Sequence, residues 1–269
     1  METPTSNTNK VDLEWDDGHV LPEKVYPDVA FLFQRMSAAT VGKVEVKTSE
    51  LVLDIGCGRA IDAVELAKRG GKCSGLEPSR KMIDHARKHI ADNGMEVSLA
   101  QGTGEYLPFK IDSFDKVMCK GALDHFPHPD KAIEEMARVL KPRGKAIIAI
   151  ANFESLGFRL GRCLFAVEKI LLRGKPKHQD VWQIPADHTL KFDYAVLKRL
   201  VKPHLKIEQS TGISLLCGLP GWSALLDRLP EKISLAILRA LNKLAGYLPS
   251  LSDVIILRCS PKPEIKGKY

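Results

Sequence analysis

The sequence predicts an α/β fold built on a doubly wound parallel sheet, and three observations lead there. From about residue 51 to Asn152, short apolar runs alternate with segments of helical period. The first run, Leu51-Val-Leu-Asp54-Ile-Gly56-Cys57-Gly58, ends in an acid and two glycines and enters a helix pattern near Arg59, with Ala63, Val64, Leu66 and Ala67 as its inner face. The second, Cys73-Ser-Gly-Leu-Glu77-Pro78-Ser79, ends in an acid nineteen positions after Gly58. Five parallel strands are expected through Asn152, with ligand at their carboxyl ends.

The remaining elements follow in order. Residues 1–48 start with a Thr, Ser and Asn-rich tail expected to be disordered, then a helix carrying Val29, Phe31, Leu32, Phe33 and Met36. Ser79 is placed to cap a helix whose apolar positions are Met82, Ile83, Ala86 and Ile90. Two apolar segments, Leu156–Leu172 and Leu216–Leu248, exceed what one buried face requires and are expected to form a helical cap. Between them Asp193 is expected to cap a helix over Tyr194–Val201, ahead of a strand at Leu205–Glu208. The final strand reads Asp253–Arg258. The chain thus divides into a tail and covering helix (1–48), a cofactor core (49–152), a cap insertion (153–192) and the end of the core with a second insertion at about 216–248 (193–269).

Strand, glycine loop and helix together form a nucleotide-type cofactor site, because glycines let a ligand approach the backbone. A dinucleotide is disfavoured. The third glycine of its fingerprint is replaced by Ile61, and Asp54 would sit beside a pyrophosphate. S-adenosylmethionine carries an ammonium and a sulfonium and no phosphate, so an acid at the strand tip suits it. Glu77 has the spacing of a carboxylate that accepts hydrogen bonds from ribose hydroxyls, although an ordinary solvated acid could stand there too.

Residues 51–150 resemble the class I S-adenosylmethionine-dependent methyltransferases, in particular the small-molecule group (type 11) that includes the ubiquinone and menaquinone methyltransferases. The two runs above are followed, collinearly, by Gln101-Gly-Thr-Gly-Glu-Tyr-Leu-Pro-Phe109, Ser113-Phe-Asp-Lys-Val-Met118, Ala122-Leu-Asp-His-Phe126 and Arg138-Val-Leu-Lys-Pro-Arg-Gly-Lys145. The resemblance implies a Rossmann-like doubly wound seven-stranded sheet, its last strand antiparallel and inserted between the fifth and sixth. It also implies S-adenosyl-L-methionine as cofactor, with contacts at Asp54, Gly56, Cys57, Gly58, Glu77, Pro78, Thr103, Gly104, Glu105 and Lys120. Thr103 stands where relatives carry an aspartate that receives the adenine amino group. A hydroxyl gives a neutral, weaker bond there, with Glu105 as the alternative acceptor. Ala60 and Arg143 replace glycines of the family pattern, and neither change alters the chemistry.

The implied reaction is direct displacement of the sulfonium methyl by an oxygen, nitrogen or carbon of a small acceptor. His125 is the candidate base, with a purely structural or positioning role the competing reading; Asp124 and His188 are second candidates on the acceptor side. Other classes stay open: an RNA-modifying methyltransferase, an NAD-dependent oxidoreductase, or a catalytically silent subunit. The net charge is +7, and eleven Lys or Arg face six acids between Glu154 and Glu208, densest at Arg173–His178. Aromatics are only 6% and none interleave with that cluster, which disfavours nucleic acid. Lys232, Arg239 and Lys243 beside the apolar stripe suit contact with a membrane surface as an alternative to a plain cap. The six cysteines are scattered without metal-ligand spacing and are expected to be reduced core filler. The polar N-terminus and the lack of a long apolar run lead to the cytoplasm as the expected location.

Overall fold

The computed structural model describes residues 13–19, 24–172 and 190–262. The N-terminal tail, Arg173–His178 and His188 lie outside the described residues, as does the end of the chain after Lys262.

Seven strands form one sheet: β1 Leu51–Ile55, β2 Lys72–Glu77, β3 Val97–Gln101, β4 Phe114–Lys120, β5 Leu140–Ala151, β6 Leu205–Ile213 and β7 Val254–Pro261. Their spatial order is β3-β2-β1-β4-β5-β7-β6. The first five are mutually parallel, and β7 runs antiparallel between β5 and β6. This is the expected seven-stranded Rossmann-like sheet. The strand order reverses beside β1, and there the carboxyl ends of β1 and β4 open a crevice for a ligand.

Alternation along each central strand builds the two layers. Leu53, Ile55, Val117, Ile148, Ile255 and Leu257 face the helices α4 (Pro129–Val139) and α6 (Tyr194–Val201). Val52, Met118, Ile147 and Ile256 face α1 (Pro27–Val44), α2 (Ile61–Lys68) and α3 (Arg80–Asp92). Both faces are buried, so the strands read as continuous apolar runs. Ser79 caps α3 by accepting from Met82 N at 3.3 Å, and Asp193 caps α6 through Val196 N at 2.8 Å. Both caps are as expected. α2 begins at Ile61 and not at Arg59, because Gly58 and Ala60 both take left-handed conformations (φ 53° and 58°) and hold the loop open for two more residues. β6 runs five residues beyond Glu208, since pairing with β7 continues to Ile213.

The cap does not pack as one helical pair. α5 (Leu156–Leu172) lies against the loop after β6: a Cβ on Gly157 would strike Cys217 O, and Phe158 fills the space over Gly218. α7 (Trp222–Arg228) and α8 (Glu231–Ala245) instead pack on α1, where Phe31, Leu226 and Leu238 make a separate small core. Phe31 and Met36 of α1 are buried as expected, whereas Phe33 is 45% exposed on its outer face. Cys57, Cys73, Cys119 and Cys259 are core residues, but Cys163 is exposed on α5. No helix among the described residues is long and apolar enough to cross a membrane.

Candidate functional site

The loop after β1 and the end of β2 meet at a carboxylate. Glu77 is buried, and each of its oxygens receives a backbone N–H: Oε2 from Gly58 at 3.0 Å and Oε1 from Ser79 at 3.0 Å. The nineteen-residue spacing thus becomes a direct bond between the glycine loop and the second strand. Burial pushes the Glu77 carboxyl above its ordinary range, and the Ser79 and Gly58 amides oppose that push. Each oxygen keeps a lone pair for a further donor.

The loop passes close to the chain after β4. A Cβ on Gly56, which has φ 68°, would collide with the Ala122 side chain, and one on Gly58 would touch Met82 Cε. Gly104 is held equally tightly, with the Phe126 ring 2.6 Å from where a Cβ would stand. Cys57 turns inward, its Sγ filling the space beside Gly75. These positions form a cradle with backbone walls.

Charge inside the cradle is predominantly negative. Asp54 is buried at the tip of β1, and burial, followed by the charge of Asp62, holds its carboxyl well above the usual range. Asp62 of α2 is gripped by Lys120 Nζ at 2.5 Å, and both touch Ser37 of α1. Lys120 closes β4 and is, among the described residues, the cation whose field reaches Asp54. Three acids (Asp54, Asp62, Glu77) against Lys120 suit a ligand bearing two cationic centres and one carboxylate. That is the charge pattern of S-adenosylmethionine, so the residues present fit the group.

Across the cradle lies a strap that the sequence did not reveal. Residues 13–19 are tied down by a two-pronged pair from Arg59 to Asp17 (2.7 and 2.6 Å), by Arg80 N to Leu13 O and by Ser79 Oγ to Trp15 O. His85 Nε2 meets Asp16 at 3.2 Å. Trp15 sets its ring 5.7 Å from that of His125, which stands on the short 3-10 turn Leu123–His125 after β4, close enough for its charge to act on Glu77. Asp124 on the same turn is buried.

The residues expected near adenine lie in the turn after β3 and at the end of β2. Thr103 is half-buried in the turn after β3, its carbonyl accepting from Tyr106 N. Glu105 is directed at the next loop: Oε1 accepts from His128 N at 3.2 Å, and Oε2 is buried without a partner. The Pro78 carbonyl is occupied by Gln101 Nε2 at 3.0 Å, which joins the tips of β2 and β3.

A family model described as "Methyltransferase domain" matches residues 53–148. A demethylmenaquinone methyltransferase of Lactobacillus johnsonii is 34% identical over 158 residues, 54% of this chain and 64% of that protein. Methyltransferase GfsG of Streptomyces halstedii is 33% identical over 138 residues, 50% of this chain and 48% of that protein. The chain spans about half the length of the curated relatives it matches. Among solved structures, the PH0226 protein of Pyrococcus horikoshii shares the fold at TM-score 0.59 and 16% identity, with 92% of this chain and 100% of that chain covered. Collinear motifs and the sheet order agree with these matches: over residues 53–148 the chain is a class I S-adenosylmethionine-dependent methyltransferase domain.

Proposed function

We propose that this protein transfers the methyl group of S-adenosyl-L-methionine to a small amphipathic molecule bound under the cap. The observation that carries the reading is Glu77, a buried carboxylate with one oxygen aligned by the Gly58 amide of the glycine loop and the other by the Ser79 amide, and with lone pairs left for a ribose diol. When bound, the cofactor supplies an electrophilic methyl on sulfur. The protein's part is to bind, align and exclude water. In this reading Glu77 takes the ribose, Gly56, Cys57 and Gly58 line the backbone cradle, and Pro78, Thr103, Gly104 and Glu105 surround the adenine. Lys120 exchanges Asp62 for the cofactor's carboxylate, and Asp54 faces the ammonium. His125, under Trp15 and within reach of the Glu77 field, stands on the acceptor side as the group that receives a proton if the nucleophile arrives protonated.

The names of the relatives, a demethylmenaquinone methyltransferase and a ubiquinone biosynthesis O-methyltransferase of Alkalilimnicola ehrlichii, support an amphipathic, ring-bearing acceptor. So do the exposed apolar side chains Leu160, Leu164 and Val167 of α5 and Ile233 and Leu244 of α8. Lys232, Arg239 and Lys243 lie along the other exposed edge of α8, so contact with a membrane surface that delivers such an acceptor is compatible with this reading. The test is transfer of label from methyl-labelled S-adenosylmethionine into cell-extract fractions, lipid-soluble and water-soluble kept apart. Label in the lipid-soluble fraction is expected. Calorimetric binding of NADH in place of S-adenosylmethionine would contradict the reading.

A further inference from the structure

Seven buried side-chain polar atoms lack a hydrogen-bond partner among the described residues, and four of them, Asp28 Oδ1, Ser214 Oγ, Trp222 Nε1 and Asp253 Oδ1, belong to one cluster. Asp28 opens α1, Asp253 precedes β7, Ser214 follows β6 and Trp222 starts α7. Two carboxylates separated by 225 residues in the chain are brought close enough to repel one another. The second oxygen of each is anchored: Asp28 Oδ2 accepts from Ser223 Oγ at 2.8 Å, and Asp253 Oδ2 from Cys217 N at 3.1 Å. No Lys or Arg among the described residues pairs with either.

A buried acid with no cation and an unmet oxygen costs several times what a satisfied polar group does, so a fold keeps such a pair only where something else meets it. The surrounding backbone is also strained. Ser214 and Leu216 take left-handed conformations (φ 58° and 72°) that non-glycine residues avoid, and Gly218 and Gly221 turn the same loop over the cluster at φ 79°. Burial raises the Asp253 carboxyl to about 7; the Cys217 amide and the Ser214 and Ser155 hydroxyls lie close enough to oppose that rise, Asp28 adds to it, and none of these groups is cationic.

The cluster lies on the same edge of the sheet as the cofactor cradle. Asn152, at the end of β5, donates its backbone N–H to Asp253 O, and Gly121, just past β4, donates to Ala149 O on the same strand. Along α1, nine residues separate Asp28 from Ser37, about 13 Å of helix. Phe31 and Leu226, with Trp222 packed against them, supply apolar surface next to the acids.

We propose that Asp28 and Asp253, with Ser214, form the polar end of the acceptor site and receive a hydrogen-bond-donating headgroup, an ammonium or a hydroxyl, while excluding anions, with the Trp222 ring as its apolar flank. This deepens the methyltransferase reading and rests on it. In each case the donor protons of the headgroup meet Asp28 Oδ1 and Asp253 Oδ1. An acceptor carboxylate or phosphate would face two acids and no cation.

Three probes of one size separate the sources: phenethylamine, 2-phenylethanol and phenylacetate, titrated into the S-adenosylhomocysteine complex of the full chain. Phenethylamine or 2-phenylethanol should bind and phenylacetate should not. Asp28→Asn and Asp253→Asn should each weaken the favoured probe at least tenfold while S-adenosylhomocysteine affinity stays within twofold. Binding of the amine alone assigns an ammonium, and of the alcohol alone a hydroxyl. Phenylacetate binding as well as the others, variants that bind unchanged, or no probe bound at all overturns the proposal. Loss of S-adenosylhomocysteine binding by the unaltered protein would instead overturn the methyltransferase reading. A readout that needs no acceptor accompanies these. Each Asn substitution should raise the melting temperature at pH 8 if the acids are kept for a ligand, and lower it if they hold the fold together.

Discussion

The two ends of the sheet's carboxyl edge handle buried acids in opposite ways. At the cofactor end Glu77 has both oxygens met by backbone amides, Gly58 of the loop after β1 and Ser79 just after β2, and Asp62 is paired with Lys120. At the cap end Asp28 and Asp253 each hold one anchored and one unmet oxygen, and no Lys or Arg among the described residues pairs with either. The first arrangement is pre-aligned for one ligand whatever the acceptor. The second stays electrostatically unbalanced until an acceptor arrives. A common cofactor is read by local backbone geometry, and a particular acceptor by tertiary placement.

The largest effect that sharpens this contrast concerns pH. Asp253 is raised from 3.8 to about 7 by burial, so the stability it contributes is fully present below about pH 4 and is lost as pH rises through 7. The loss amounts to as much as ~4 kcal/mol. Urea unfolding at pH 4.5 and pH 8 should therefore show Asp253→Asn gaining on the unaltered protein as pH rises, and parallel curves would break the contrast. Next in size is Leu238→Ala, which empties a fully buried site between α8 and α1 and should cost about 3 kcal/mol of unfolding free energy. Cofactor affinity, measured below the melting transition, should hardly change, because that small core is separate from the sheet's two main layers. A large loss of affinity would show that the ends are coupled. The smallest effect is at the strap. Arg59→Ala removes a partly exposed pair with Asp17, worth ~1 kcal/mol or less, and should shorten cofactor residence a few-fold in stopped-flow release, with the difference fading in high salt.

Legibility follows the same division. The Asp54–Gly58 loop, Glu77 and both helix caps could be read because each is a contiguous pattern or a fixed offset between consecutive elements, whereas the antiparallel last strand follows from the family resemblance. Trp15, Asp17, Ser37 and Asp62 could not. They reach the cradle from the strap, α1 and the inner side of α2, and no spacing marks an acid on a helix as facing a lysine at the end of β4. Asp28 lies in the first turn of α1 and Asp253 reads as the start of the final strand, and neither position marks an acid for a site. Only the crossing of α1 over the β5-β7-β6 edge gives them a common role. The surplus of apolar residues in the cap did announce additional helices, yet composition could not say that α8 would join α1 and leave α5 to the β6 loop.

The central claim, that cofactor and acceptor are held by separate sets of acids, is tested most directly by calorimetric titration of S-adenosylmethionine into Glu77→Ala and Asp253→Asn side by side. Removing the aligned carboxylate should cost about 2 kcal/mol, roughly thirtyfold in Kd, because its hydrogen bonds to the ribose are charge-assisted. The Asp253→Asn protein should bind as the unaltered one does. An unchanged Kd in Glu77→Ala, or an equal loss in both variants, would contradict the account.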